Sequence, residues 1–221
     1  MAQIDPGART VVHLMRHGEV YNPTGVLYGR MPGFHLSELG RAMAERNAEF
    51  FAGRDIALVV ASPLDRAQET AAPIAARHDV DVATDGRLIE ASNFFEGKRF
   101  SVGDGVLKRP ATWPKLYNPV RPSWGEPYRE QVARMRAALE AARDKAVGHE
   151  AVCVSHQLPI WVSRLAAEHR HLWHDPRKRE CSLASVTSFV YVGTQLTGIE
   201  YHEPSKDLLR AKGTKKFVAG A

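Results

Sequence analysis

The sequence predicts an α/β fold, a three-layer α/β/α sandwich around a mostly parallel mixed sheet with one antiparallel strand. Three observations predict it. Apolar runs at 10–16, 56–61 and 151–154 have the length and branched composition of buried strands. Segments of helical period lie between them, the alternation that builds a parallel sheet. Near the end, residues 185–191 and 195–202 alternate around Gly193-Thr194, as two strands joined by a tight turn.

Each element follows from local chemistry. Residues 1–9 are polar and read as a flexible N-terminus. The first strand spans 10–16. Asn22-Pro23, Gly25, Gly29, Pro32 and Gly33 make 21–34 a loop. Ser37 is placed as an N-cap, with Leu39, Ala42, Met43 and Phe50 on one helical face and Gly53 as the stop. After the strand at 56–61, Ser62 as cap and Pro63 in the first turn begin a helix that runs to about Arg77. A short strand at 80–83 follows.

Residues 91–127 are rich in Gly, Pro, Trp and Asn and read as an irregular lid insertion. A long amphipathic helix spans 128–147, with Val132, Met135, Leu139, Ala142 and Ala146 inward. The strand at 151–154 leads into a helix over 158–168. No linker divides the chain, so 10–203 is expected to be one domain, with 204–221 a polar, basic tail.

Composition narrows the function classes. Thirty Lys and Arg against 25 Asp and Glu leave a net charge of +5. That modest, dispersed excess favours a small anionic partner and does not imply nucleic acid. There is no run of eighteen apolar residues, so no membrane span is expected, and the first nine residues lack a signal peptide's apolar core. Two cysteines, Cys153 and Cys181, make a reduced, cytoplasmic protein the simplest expectation. Monomer and homodimer both stay open.

Three strand-to-helix junctions carry unusual cargo: Arg16-His17-Gly18, Ser62-Pro63-Leu64-Asp65-Arg66 and Ser155-His156-Gln157. If the three strands are parallel, their carboxyl ends share one edge, where open α/β sheets bind ligands. Each residue has an ordinary alternative: a histidine capping a strand, Arg66 pairing with Glu69 on its own helix, Arg16 closing a sheet edge. Two arginines and two histidines at one edge are better explained by a tetrahedral phosphate, which guanidinium groups bind through paired hydrogen bonds. His169, His171, His174 and Asp175 have metal-like spacing, but their run is highly charged and reads as an exposed turn, so no metal is assigned. No cofactor is assigned either.

These residues resemble the signatures of the histidine phosphatase superfamily, in its phosphoglycerate mutase-like branch. Arg16-His17-Gly18-Glu19 lies near the amino terminus, as in that family. Leu36-Ser37-Glu38-Leu39-Gly40 resembles its early helix start, and 62–71 its second signature. Leu88-Ile89-Glu90 with Phe95-Glu96-Gly97 resembles the acidic segment, and Ser155-His156 the late histidine. The likeness covers about residues 11–192.

The resemblance implies a phosphatase acting on a small phosphorylated metabolite through a phosphohistidine on His17. Arg16, Arg66 and His156 would hold the phosphoryl oxygens, with Gly18 and Gln157 beside them. Glu90 would be the general acid and base, with Glu96 or Glu19 as substitutes. Asn22 would help bind phosphate, one residue closer to His17 than the family's usual spacing. Gln157 stands where the family commonly has glycine.

Residues 91–100 look like the phosphatase form, leaving mutase-type transfer and a non-catalytic phospho-ligand module as alternatives. In the insertion, Lys108, Arg109, Lys115, Arg121, Trp113, Tyr117 and Trp124 could read the rest of a substrate, or the aromatics could simply pack the lid.

Overall fold

The computed structural model describes residues 5–99 and 123–211. Strand β1 (Arg9–Arg16) is followed by helix α1 (Glu38–Phe51), β2 (Ile56–Ala61), α2 (Asp65–Arg77) and β3 (Val82–Thr84). After the excursion come α3 (Tyr128–Lys145), β4 (Glu150–Ser155), α4 (Gln157–Ala167), β5 (Val186–Val192), β6 (Gln195–His202) and α5 (Lys206–Ala211). Six strands form one sheet in the order β3-β2-β4-β1-β5-β6. β1 to β4 run parallel, and β5 is the one strand of the six that opposes the rest.

Period-two alternation sorts the side chains of the central strands onto two cores. Met15, Val152 and Val154 pack with Met43, Phe51 and Ile74 of α1 and α2 on one face. Val12, Leu14, Ala151 and Cys153 pack with Met135, Leu139 and Ile160 of α3 and α4 on the other. That makes three layers. No helix among the described residues is long and apolar enough to cross a membrane.

Four expectations need correction. Ala42 is exposed; the buried face of α1 runs through Met43, Ala44, Asn47, Ala48 and Phe51, one residue round from the expected stripe. α2 begins at Asp65 without a side-chain cap, and Ser62 lies outside the helix. β3 covers 82–84 because its pairing is set by β2, Val59 to Ala61 facing Val82 to Thr84. Part of the expected tail is helical: Leu208 and Leu209 of α5 pack against the first core. The rest of that tail, and Lys108, Arg109, Trp113, Lys115, Tyr117 and Arg121 of the insertion, lie outside the described residues.

The described ends of the insertion are stitched together. Asn93 and Gly125 form an antiparallel bridge, flanked by Phe94 N–H to Trp124 O (2.7 Å) and Glu126 N–H to Ser92 O (3.2 Å). At the other end of the site, Ser37 caps α1 by accepting from Gly40 N (3.0 Å), while its hydroxyl donates to Glu19 Oε2 (2.6 Å). Gly18 and Gly40 lie backbone to backbone; a Cβ on Gly40 would fall 2.0 Å from Glu19 O. In an exposed helix Gly→Ala stabilises by about 1 kcal/mol. Here Gly40→Ala should instead lower stability by about 1–3 kcal/mol, as overpacking does, measured by urea unfolding; equal or greater stability would contradict the close approach.

Candidate active site

The order β2-β4-β1 puts the three junctions side by side, with Arg16 opposite Ser155 and Ala61 opposite Val154. His17 continues the ladder beyond β1, its N–H donating to Ser155 O (3.1 Å) and its carbonyl accepting from Ala184 N (3.2 Å). Its Nδ1–H donates to Gly18 O at 2.8 Å, since a carbonyl can only accept. The lone pair therefore sits on Nε2, which is buried without a hydrogen-bond partner. Burial first, then Arg66 and Arg16, hold His17 well below the usual histidine pKa.

The His156 ring lies 5.1 Å from that of His17, centroid to centroid. Its Nε2 meets Ser62 Oγ at 2.8 Å. Ser62 Oγ also accepts, at 3.5 Å, from Leu64 N, and its own hydrogen has no other acceptor among the described residues, so the consistent assignment has the hydroxyl donating to Nε2. That leaves an N–H on Nδ1, buried and unpartnered. Burial, Arg66, His17 and Arg16 depress this pKa strongly as well. Ser62 thus orients His156 instead of capping α2.

Arg16 and Arg66 are held by weak partners. Arg16 Nη1 donates to Cys181 O (2.8 Å), and its Nε and Nη2 are buried and unpartnered. Arg66 Nη2 donates to Gly29 O, its Cζ lies 4.7 Å over the Tyr28 ring, and its Nε is unpartnered. Among the described residues neither makes a salt bridge. Buried polar groups are normally satisfied, so the free donors on both arginines can form hydrogen bonds to an anion.

Glu90 is the carboxyl of this cluster. Oε1 accepts from Ala91 N (2.8 Å), and Oε2 is buried and unpartnered. Burial raises its pKa, against the pull of the Ala91 bond and of Arg66, Arg16 and Arg179. Main-chain ties place it: Ser155 Oγ donates to Leu88 O (2.7 Å) and Arg30 Nε to Glu90 O (2.6 Å). Glu126 joins Arg30 (2.8 Å) to Arg134 (2.7 Å). The two substitute acids have contacts of their own: Glu19 Oε2 accepts from Ser37 Oγ (2.6 Å), and Glu96 Oε1 from Asn93 N (3.1 Å).

Three of the expected binding residues hydrogen-bond within the protein. Gly18 N–H goes to Thr70 Oγ1 (3.1 Å), and its bare Cα lets Gly40 O approach. Asn22 spends its amide on its own loop, donating to Val26 O (2.8 Å) and accepting from Val26 N (3.3 Å). Gln157 Nε2 donates to Cys181 O (3.3 Å) and its Oε1 accepts from Arg179 Nη1 (3.2 Å).

Sequence reasoning missed Tyr28 and Arg179. Tyr28 lies in a glycine-rich loop without periodicity. Arg179 lies in the charged run read as an exposed turn, yet it is half-buried, as is His174. His174 donates from Nδ1 to Leu172 O (2.7 Å) and accepts at Nε2 from Arg179 Nε (2.9 Å), so both its nitrogens are committed within the protein. Among the described residues no three His, Cys, Asp or Glu side chains gather to hold a metal.

The chain belongs to the histidine phosphatase superfamily (branch 1), whose sequence profile matches residues 12–202. It is similar to the uncharacterized protein Rv0525 of Mycobacterium tuberculosis, 59% identical over 196 residues, covering 89% of this chain and 97% of that protein. A probable phosphoglycerate mutase, GpmB of Yersinia pestis, is 29% identical over 183 residues, covering 79% and 83%. Among solved structures, phosphoserine phosphatase from Entamoeba histolytica in complex with 3-phosphoglyceric acid superposes with a TM-score of 0.69. It is 23% identical, covering 88% of this chain and 98% of that one, and shares the fold.

The depressed histidines set a pH dependence of stability. His13, His17 and His156 are buried and neutral, and His174 is lowered to about 4. Unfolding frees each to protonate below pH 6.5, so stability is full above that value and falls as pH drops. Each histidine costs about 1.4 kcal/mol per pH unit until its own folded pKa is reached. Glu90, raised, works in the opposite sense and offsets part of the loss. Urea midpoints should fall steeply from pH 7 to 5.5; a flat profile would mean the imidazoles are charged or solvated.

Proposed function

We propose that the protein is a phosphatase that hydrolyses a small phosphomonoester through a phosphohistidine on His17. One observation carries the reading. His17 Nε2 presents a buried lone pair beside two guanidinium groups with uncommitted N–H donors and a second neutral imidazole.

In the first step Nε2 attacks phosphorus and the ester P–O bond breaks. Arg16, Arg66 and the His156 Nδ1–H take the charge on the phosphoryl oxygens. Glu90, protonated at Oε2, gives its proton to the departing oxygen. In the second step the Glu90 carboxylate takes a proton from water, water oxygen bonds to phosphorus, and the P–N bond breaks. Inorganic phosphate and neutral His17 result. The thiols do not compete as nucleophiles, because burial pushes Cys153 up to about 12 and Cys181 up to about 11. The likeness to GpmB supports a second reading, in which a substrate hydroxyl replaces water as acceptor.

Rapid quench with a labelled phosphomonoester should trap an acid-labile, base-stable phosphoenzyme in the wild type and none in His17→Ala. Turnover retained by His17→Ala would refute the nucleophile. Inorganic phosphate as the product distinguishes hydrolysis from transfer. Glu90→Gln should slow phosphoenzyme formation from an alkyl phosphate by about 10²-fold or more, and from 4-nitrophenyl phosphate by less than about ten-fold, since that leaving group needs no proton. Wild-type phosphoenzyme formation from the alkyl ester should be lost as pH rises through the elevated Glu90 pKa. Equal losses for both esters would point to another acid.

A further inference from the structure

Asn47 is the one polar side chain on the buried face of α1, set among Met43, Ala48 and Phe51 of the first core. An amide so placed is normally there for its hydrogen bonds. Its Nδ2 donates to Met43 O, one turn back (3.0 Å), to Ala184 O (3.1 Å) and, at 3.5 Å, to Ser205 Oγ. Oδ1 is buried without a hydrogen-bond partner, so the side chain works through its hydrogens.

Ala184 is a residue that needs holding. It stands third in a turn closed by Ser185 N–H to Ser182 O (3.1 Å). Its φ is +54°, in the left-handed region that glycine enters freely and alanine does not. Among the described residues Asn47 is the hydrogen-bond partner of its carbonyl.

The same turn grips the main chain at the end of β1. Ala184 N–H donates to His17 O (3.2 Å), and Ser185 O accepts from Arg16 N (3.0 Å). The His17 ring is tied to that main chain through Nδ1–H to Gly18 O (2.8 Å), so the backbone sets where Nε2 points. Arg16 has further anchors, Cys181 O for its guanidinium and the β1–β5 ladder beside it. A turn that relaxed to negative φ at Ala184 would therefore cost His17 more than Arg16.

We infer that Asn47 is a positioning residue: by holding Ala184 in its left-handed conformation it fixes the His17 carbonyl and, through it, the aim of Nε2. The inference rests on His17 being the nucleophile proposed above.

Rapid quench with 4-nitrophenyl phosphate separates binding from attack. Asn47→Leu keeps the branching and removes the hydrogens; it should slow phosphoenzyme formation at saturation by about ten-fold or more, with the apparent Kd within about three-fold. Asn47→Ala stands in if the leucine variant does not fold. Adding Ala184→Gly, which takes positive φ without a clamp, should bring the rate back to within about three-fold of wild type. Ser205→Ala removes the weak third contact of the same amide and should leave the rate unchanged. A second readout needs no turnover. The His17 Nδ1 proton, assigned by nuclear magnetic resonance through its loss in His17→Ala, should exchange with water faster in Asn47→Leu and slow again with Ala184→Gly. Rate and exchange unmoved by either Asn47 change, a loss that glycine does not recover, or one that Ser205→Ala reproduces, would overturn the assignment. Exchange that follows the variants in a protein that forms no phosphoenzyme would sink the His17 reaction and leave the role of Asn47 in placing the ring.

Discussion

Holding guanidinium groups out of water without carboxylates to balance them is the constraint on which the rest of this edge depends. Elsewhere several arginines are paired with carboxylates, as Arg87 is with Asp85 and Arg134 with Glu126. At the sheet edge the hydrogen-bond and ring partners among the described residues are partial charges: the Cys181 and Gly29 carbonyls, the Tyr28 ring face and the Gln157 amide. Such partners fix direction without neutralising. A carboxylate in any of those places would satisfy the arginines and extinguish their hold on an anion. Desolvating cations is costly, and the scaffold bears that cost before ligand arrives, which is what preorganisation means here.

The histidines and Glu90 follow from the same field. Two buried imidazoles beside two fixed cations stay neutral, the state an attacking nitrogen needs. Glu90 feels those cations too, yet burial outweighs them and its pKa rises. One environment therefore pushes a base and an acid toward opposite protonation preferences at the same pH. Arg30, Ser155 and the Glu126 ion pairs grip the main chain around Glu90 instead of its carboxyl. The acid is positioned without being discharged.

Much of this was legible in the sequence, and the reasons can be named. β1, β2 and β4 announce themselves because central parallel strands are apolar throughout. Polar cargo at their carboxyl ends then stands out, which brings Arg16, His17, Arg66 and His156 together on paper as in space. β6 matches its expected bounds because turn and alternation both define it. What failed depends on partners distant in sequence. Ser62 looks like a helix cap until His156, 94 residues away, claims its hydroxyl. Arg179 sits among charges that give no local clue that Gln157 and His174 draw it inward. Tyr28 occupies a loop whose conformation is set by what it packs against. Asn22 hydrogen-bonds Val26 within its own loop, a contact the sequence does not announce.

The bridge between Asn93 and Gly125 has a consequence for how such a protein diversifies. With those ends pinned, a change in the number of residues between them costs little, since doubling a loop adds only about 0.6 kcal/mol. Gly125 is required at the seam, where a Cβ would meet Ser92 O at 2.3 Å. Descendants could therefore exchange the intervening stretch wholesale, as one swaps a cartridge, while the arginines and histidines at the sheet edge are inherited intact.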